Sequence, residues 1–455
     1  MSPAQLTQRS FFDDHSRLLA LALPMILANI TTPLLGLVDT AVLGHMSLPA
    51  MLAGASVGAL ILTQIYWVCG FLRMSSTGLS AQAKGSPNNT LESAKVLWQT
   101  VAVALVLGAV VLALQSPILS IGLALTQPNS EVALHLQDYF STRVWGAPAA
   151  MLNLALVGWL VGQQKTRSVM AIQIVGNLLN AGLDVVFVFG LGLSVAGVAL
   201  ASVIAEYTMA IMALAVAFKR VGGVAVSASW FNRAARKVLM KLNGDMLLRN
   251  LALQGCLAFL TIQGARYGET SAAVNAILMQ FFVLIALGLD GIAYGVEALV
   301  GEAKGASDSS EVKRRTYQGL VWSSIFALIY SVIFFAGGEA IIALLTEHSD
   351  IVKAALPYLG LMVLLPLLAH WCFLYDGVFV GLTRASAMRN TMIISALGVY
   401  FPVWYLTQDQ GNVSLWYALL AFLLARGVTL AWSFYRLDKR GELAIPQSYC
   451  FITLR

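Results

Sequence analysis

The chain has 455 residues, 58% hydrophobic and 11% charged, with a mean hydropathy of +0.77 and a formal net charge of +6. A soluble protein of this length needs far more charge to cover its surface, which argues against reading the basic balance as a nucleic-acid-binding domain. At about 20 residues per span plus a short loop, the length accommodates roughly twelve membrane-spanning helices.

In chain order, residues 1–16 form a polar tail without the apolar core of a secretory signal, so it is expected to be retained. Apolar runs predict spans near 17–43, 52–77, 95–122, 133–162, 168–190 and 194–218. A second set is predicted near 245–266, 272–300, 316–345, 354–381, 388–407 and 414–436. The expected organisation is therefore an N-lobe over 17–220, a basic cytoplasmic linker over 221–244, a C-lobe over 245–440 and a tail over 441–455. The linker region has Arg233, Arg236, Lys237 and Lys241, and fits an amphipathic lipid-surface segment as well as a solvated one. Basic residues such as Arg17, Lys84, Arg167, Lys313, Arg384 and Arg436 fall in tails and in alternate loops of one parity. Loops of the other parity hold only Lys353, which places both termini in the cytoplasm. Cys69, Cys256 and Cys372 lie in apolar runs and Cys450 in the tail, none at metal or CxxC spacing.

The two halves read as a duplication. Ser80-Ala-Gln-Ala-Lys-Gly85 recurs as Val300-Gly-Glu-Ala-Lys-Gly305, Tyr139 as Tyr358, Pro148 as Pro366, and Gly158/Gly162 as Gly377/Gly381, at offsets of about 218–220 residues. Six spans per half is even, so the repeat is parallel, a plan suited to alternating access between two bundles. The glycine pairs are expected at close helix contacts.

Ionisable groups inside spans are costly and are functional candidates, with paired structural charges as the alternative. Asp39 lies about 33 Å up the first span, in the outer leaflet, above two bend-favouring prolines, Pro24 and Pro33. Span 5 carries Asn177, Asn180 and Asp184 on one helical face. Counting along the helices brings Asp39, Asp184, Asn180, Tyr139 and Ser202 to similar depth, with Glu206 one turn deeper and Asn153 deeper still. Burial favours a neutral carboxyl and hydrogen-bond donors favour the anion, the balance that a proton carrier needs. Asp39 and Asp184 are therefore the coupling candidates, and Tyr139, Asn153, Asn177, Asn180, Ser202 and Glu206 the pocket candidates. For several of these an ordinary interhelical hydrogen bond is an equal reading. In the second half the position matching Asp39 is Phe259 or Leu260, both apolar. Asp290, Glu297 and Asp376 lie nearer the cytoplasm and are expected to be mostly paired charges. Arg73, Arg143, Arg249 and Arg426 are candidate partners for them. No P-loop, HExxH or GxGD motif is present, so neither ATPase nor protease chemistry is expected.

Ala22-Leu-Pro-Met-Ile followed by Pro33-Leu-Leu-Gly-Leu-Val-Asp-Thr-Ala-Val-Leu-Gly-His45 resembles the first-span signature of the multidrug and toxic compound extrusion (MATE) family. Arg73-Met-Ser-Ser-Thr-Gly-Leu-Ser-Ala-Gln-Ala-Lys-Gly85, Asn180-Ala-Gly-Leu-Asp184 and Leu289-Asp-Gly-Ile-Ala-Tyr-Gly-Val-Glu297 resemble its DinF-type branch. The resemblance implies an all-α membrane protein of twelve helices in two six-helix bundles. It also implies export of amphipathic, often cationic small molecules against protons, with no cofactor, metal or nucleic acid, and a monomer among membrane lipids. Asp39, Tyr139, Asn180, Asp184 and Ser202 match the family's proton pocket, and Pro24 a proposed bend in the first helix. Asp376 matches one acid of a C-lobe sodium site whose span-7 acid is missing around Gln254, which favours protons. Sodium coupling and a lipid or lipid-linked-precursor flippase are the rival readings.

Overall fold

The computed structural model describes residues 3–46 and 48–445, with side chains for 15–31, 33, 38–46 and 48–445. Cys450 and the end of the C-terminal tail lie outside the described residues. Every regular element among them is helical. In chain order these are α1 (Pro3–Gly44), α2 (Pro49–Gly85), α3 (Asn89–Ala113, continuing as Gln115–Thr126), α4 (Ser130–Gly162), α5 (Thr166–Gly190) and α6 (Val195–Val221). They are followed by α7 (Arg233–Arg266), α8 (Glu269–Gly305), α9 (Ser309–Leu345), α10 (Ser349–Gly381), α11 (385–407) and α12 (Val413–Lys439). Among the described residues, ten of these are long and apolar enough to cross a membrane. The other two are α1, with its apolar stretch His15–Thr31, and α11, in which a π-helical turn (Ala396–Tyr400) interrupts the α-helix. This is an all-α membrane protein with twelve helical stretches, as expected where every backbone polar group must be satisfied inside lipid.

Local chemistry sets the helix ends. Pro49 starts α2 where no N–H is needed, and Asn129 caps α4 by accepting from the Val132 amide at 2.9 Å. Asp308 caps α9, accepting from the Ser310 and Glu311 amides at 3.0 Å each. The Glu311 amide first, and then the Ser310 hydroxyl, hold the Asp308 carboxyl below its usual pKa. A lowered pKa means that the cap's contribution is full above the unfolded value of about 4 and is lost as pH falls through the folded one. Amide-exchange protection of the first turn of α9 is therefore expected to hold at pH 5 and to be lost as pH falls below the usual carboxylate range, and Asp308→Ala to show the low-pH behaviour throughout.

The chain divides into two compact units, one of Leu27–Arg236 and the other of the chain before Leu27 and after Arg236. The boundary falls inside α1, two residues beyond Pro24, although α1 is continuous through Pro24 and Pro33. Pro24 is buried and Pro33 exposed. The lower part of α1 packs on α8: the faces of Gly295 and Gly291 lie against Leu18 and Ile26. The basic linker is mostly helix. Arg233, Arg236, Lys237 and Lys241 form an exposed N-terminal extension of α7. Just before it, the carbonyl of Trp230 accepts from Gln99 Nε2 on α3 at 2.7 Å.

Each unit contains the same close helix contact. A Cβ on Gly158 or Gly162 of α4 would lie 2.3 Å from the Arg73 carbonyl oxygen or 2.6 Å from that of Thr77 on α2. On Gly377 or Gly381 of α10 it would lie 2.9 Å from the Ala293 carbonyl or 2.7 Å from that of Glu297 on α8. Ser76 and Ser80 tie the first contact with bonds of 2.7 and 2.8 Å to the Ala155 and Trp159 carbonyls. Backbone atoms cannot yield as a flexible side chain would, so Gly158→Ala is expected to cost about 1–3 kcal/mol. The looser Gly377→Ala should cost less, which thermal unfolding of the two variants in one detergent would compare.

Candidate functional site

The unit of Leu27–Arg236 encloses a cavity of about 360 Å³, lined by α1, α2, α4, α5 and α6. Its polar wall holds Asp39, Tyr139, Asn153, Asn177, Asn180, Ser202 and Glu206, bringing together all the pocket residues expected from the sequence. The rest is largely apolar, with Leu62, Val157, Leu160, Val169, Ile172 and Met209.

One amide joins the acids. Asn180 Nδ2 donates to Asp39 Oδ1 and to Asp184 Oδ2, each at 3.1 Å. Asp184 is fully buried behind Asn180, while Asp39 is half-buried on the cavity wall. The two carboxyls thus meet at one nitrogen, each with an oxygen 3.1 Å from it. Asp184 Oδ1 and Asn180 Oδ1 are buried with no hydrogen-bond donor. One turn lower on the same face, Asn177 Nδ2 donates to Thr31 Oγ1 at 3.0 Å, fastening α5 to α1. A π-helical turn, Val186–Gly190, follows Asp184 directly. Tyr139 lines the cavity and is buried against Val42, Leu43 and Ala55.

Glu206 is not a bare acid. Arg143 of α4 holds it through two bonds, 2.8 and 2.5 Å, and Asn153 Nδ2 donates to the Glu206 backbone carbonyl at 2.9 Å. The sequence offered Arg143 to the acids of the other half, but the structure pairs it within its own. Thr63, Tyr66 and Gln173 also line the cavity and were not singled out. Gln173 could have been found, since 173, 177, 180 and 184 continue one helical face. Tyr66 and Thr63 sit in an apolar run that carries no such signal.

The second unit places its acids differently. Asp376 of α10 accepts from Arg249 Nη2 of α7 at 2.5 Å and from Arg426 of α12. Glu297 is buried and Asp290 half-buried, both on α8. Phe259, at the position matching Asp39, packs edge-on against Tyr400, Phe401 and Trp404 of α11, at 4.9–6.1 Å between ring centres.

The MatE family profile matches residues 24–186 and again 246–406, once in each half. DNA damage-inducible protein F of Escherichia coli (strain K12) is 43% identical over 417 residues, which cover 90% of each chain. A probable multidrug resistance protein NorM of Thermotoga maritima is 25% identical, covering 95% of this chain and 94% of its own. Among solved structures, MATE in the straight conformation shares the fold with a TM-score of 0.82 at 18% identity, covering 94% of this chain and 96% of its own. With a family profile matched in both halves and a relative this similar over nearly its whole length, the chain belongs to the MatE family and is a multi-pass membrane transporter, not an enzyme.

Proposed function

We propose that this transporter exports amphipathic, mainly cationic small molecules in exchange for protons, using the cavity of the first unit for both. The observation that carries the reading is the Asn180 bridge: one amide donates to an acid on the cavity wall, Asp39, and to a buried one, Asp184. A proton held by this pair of acids would supply the donor that Asp184 Oδ1 lacks. Asp39 is then the acid that a cargo cation and a proton compete for. Loading the proton neutralises it, changes the hydrogen bonds between α1 and α5, and releases the cation outward. Return to the inward-facing state frees the proton and admits new cargo. Each charge crossing supplies about 2.3 kcal/mol per 100 mV, enough for substantial accumulation.

The acids on the wall suit a cation better than the phosphate head group that a flippase would carry. Bacterial relatives bear the name of multidrug resistance proteins, and related MATE structures exist in bent and straight conformations. In this reading the chain works as a monomer in the inner membrane with both termini cytoplasmic. Its two six-helix lobes are the bodies that alternate, and Pro24 and Pro33 are bending points of α1. It needs no cofactor beyond the coupling ion. Asp290, Glu297 and Asp376 serve structure rather than coupling.

The test is ethidium-driven proton release from energised everted vesicles. Dequenching of a pH dye without sodium is the expected result. Activity only with added sodium would replace the proton by sodium and leave export standing.

A further inference from the structure

One ion pair lies on the cavity wall. Arg143 and Glu206 meet through two bonds, 2.8 and 2.5 Å, with side chains 13% and 15% exposed. By count along α4 the pair sits about 20 Å below the outer end, near mid-membrane. The surroundings are shaped to hold it. A Cβ on Gly146 would lie 2.5 Å from Glu206 Oε2 and 2.6 Å from Arg143 Nη1, so a larger residue there would push the ends of both side chains aside. The guanidinium lies 5.8 Å from the centre of the Tyr66 ring, whose hydroxyl is buried without a hydrogen-bond partner. Two charges at this depth are costly, and neutral groups could fasten α4 to α6 more cheaply. While the guanidinium stays in place, Glu206 is not a free anion for a ligand to meet.

We propose that Arg143 determines the charge class of the cargo: by masking Glu206 it makes the cavity a site for monovalent amphipathic cations and turns away divalent ones. The proposal rests on the reading of this cavity as the cargo site. Asp39 compensates one positive charge. A second would need Glu206, which the guanidinium already occupies, and would face that guanidinium as a like charge. A tight monovalent fit at Asp39 is also what lets a single proton displace the cargo.

The test uses purified full-length protein in detergent and two nearly isosteric probes, the monocation methylphenylpyridinium and the dication dimethylbipyridinium, titrated by tryptophan fluorescence. Wild type is expected to prefer the monocation. Arg143→Met should raise the dication-to-monocation affinity ratio at least about tenfold, about 1.4 kcal/mol. Arg143→Lys should keep the wild-type ratio, and Arg143→Met/Glu206→Gln should restore it by removing both charges. Gly146→Ala, which wedges the pair apart without deleting a charge, should move the ratio in the same direction as Arg143→Met and serves if that variant does not fold. A ratio unchanged in every variant, with both affinities falling together, would make the pair a structural strut and overturn the proposal. Absence of binding of either probe to wild type would overturn the cargo-site reading itself.

Discussion

Asp39→Asn is expected to abolish ethidium-driven proton release, lowering it at least about tenfold to the vesicle background. Asparagine has nearly the shape of a protonated aspartate and stays neutral, so α1 and α5 keep their packing while the exchangeable proton is gone. The Asn180 amide would still find an oxygen at position 39, which argues against collapse of the site. Cation affinity should fall as well, since the cavity-wall acid that compensates cargo charge has been removed. At an effective dielectric of about 20, a charge about 6 Å away is worth roughly 2–3 kcal/mol, so a tenfold loss is a conservative expectation. Asp184→Asn should impair exchange too, because it removes the other carboxyl that the Asn180 amide joins. The double variant should be little worse than either single one, as groups that act as one unit are not additive. Fully additive losses would show that the two acids act separately, and an unaffected Asp39→Asn would remove that residue from coupling.

Asp376→Ala is expected to be the most destabilising single change of an acid in the chain, with little bearing on coupling as such. Asp376 accepts from both Arg249 and Arg426, whose side chains are 8% and 5% exposed. Truncating it removes an anion shared by two buried guanidinium groups, and losing one partner of a buried pair costs about 3–5 kcal/mol. Thermal unfolding in detergent should show a drop of several degrees and a loss of monodisperse protein. Replacing all three residues together by apolar ones of similar volume should recover much of that stability, because the three charges are removed together. A triple variant as unstable as Asp376→Ala would point to a role beyond mutual neutralisation.

These two acids show where sequence reasoning reaches and where it stops. Spans are legible because lipid forces each helix to satisfy its backbone internally over a fixed apolar length, a condition local in sequence. The repeat is legible for a similar reason: a close contact such as Gly158 on Arg73, or Gly377 on Ala293, demands the same small residue at the same register in both halves. The face shared by Asn177, Asn180 and Asp184 follows from helical period alone. Partner choice does not. Arg143, Arg249 and Arg426 look alike in an apolar run, yet the first meets Glu206 63 residues away and the second Asp376 127 residues away. Which acid each one reaches depends on the rotation and depth of helices far apart in the chain. For the same reason only the tertiary structure decided that Asn180 joins Asp39 to Asp184, that Glu206 faces the cavity already paired, and that the division into units falls within α1, just beyond Pro24.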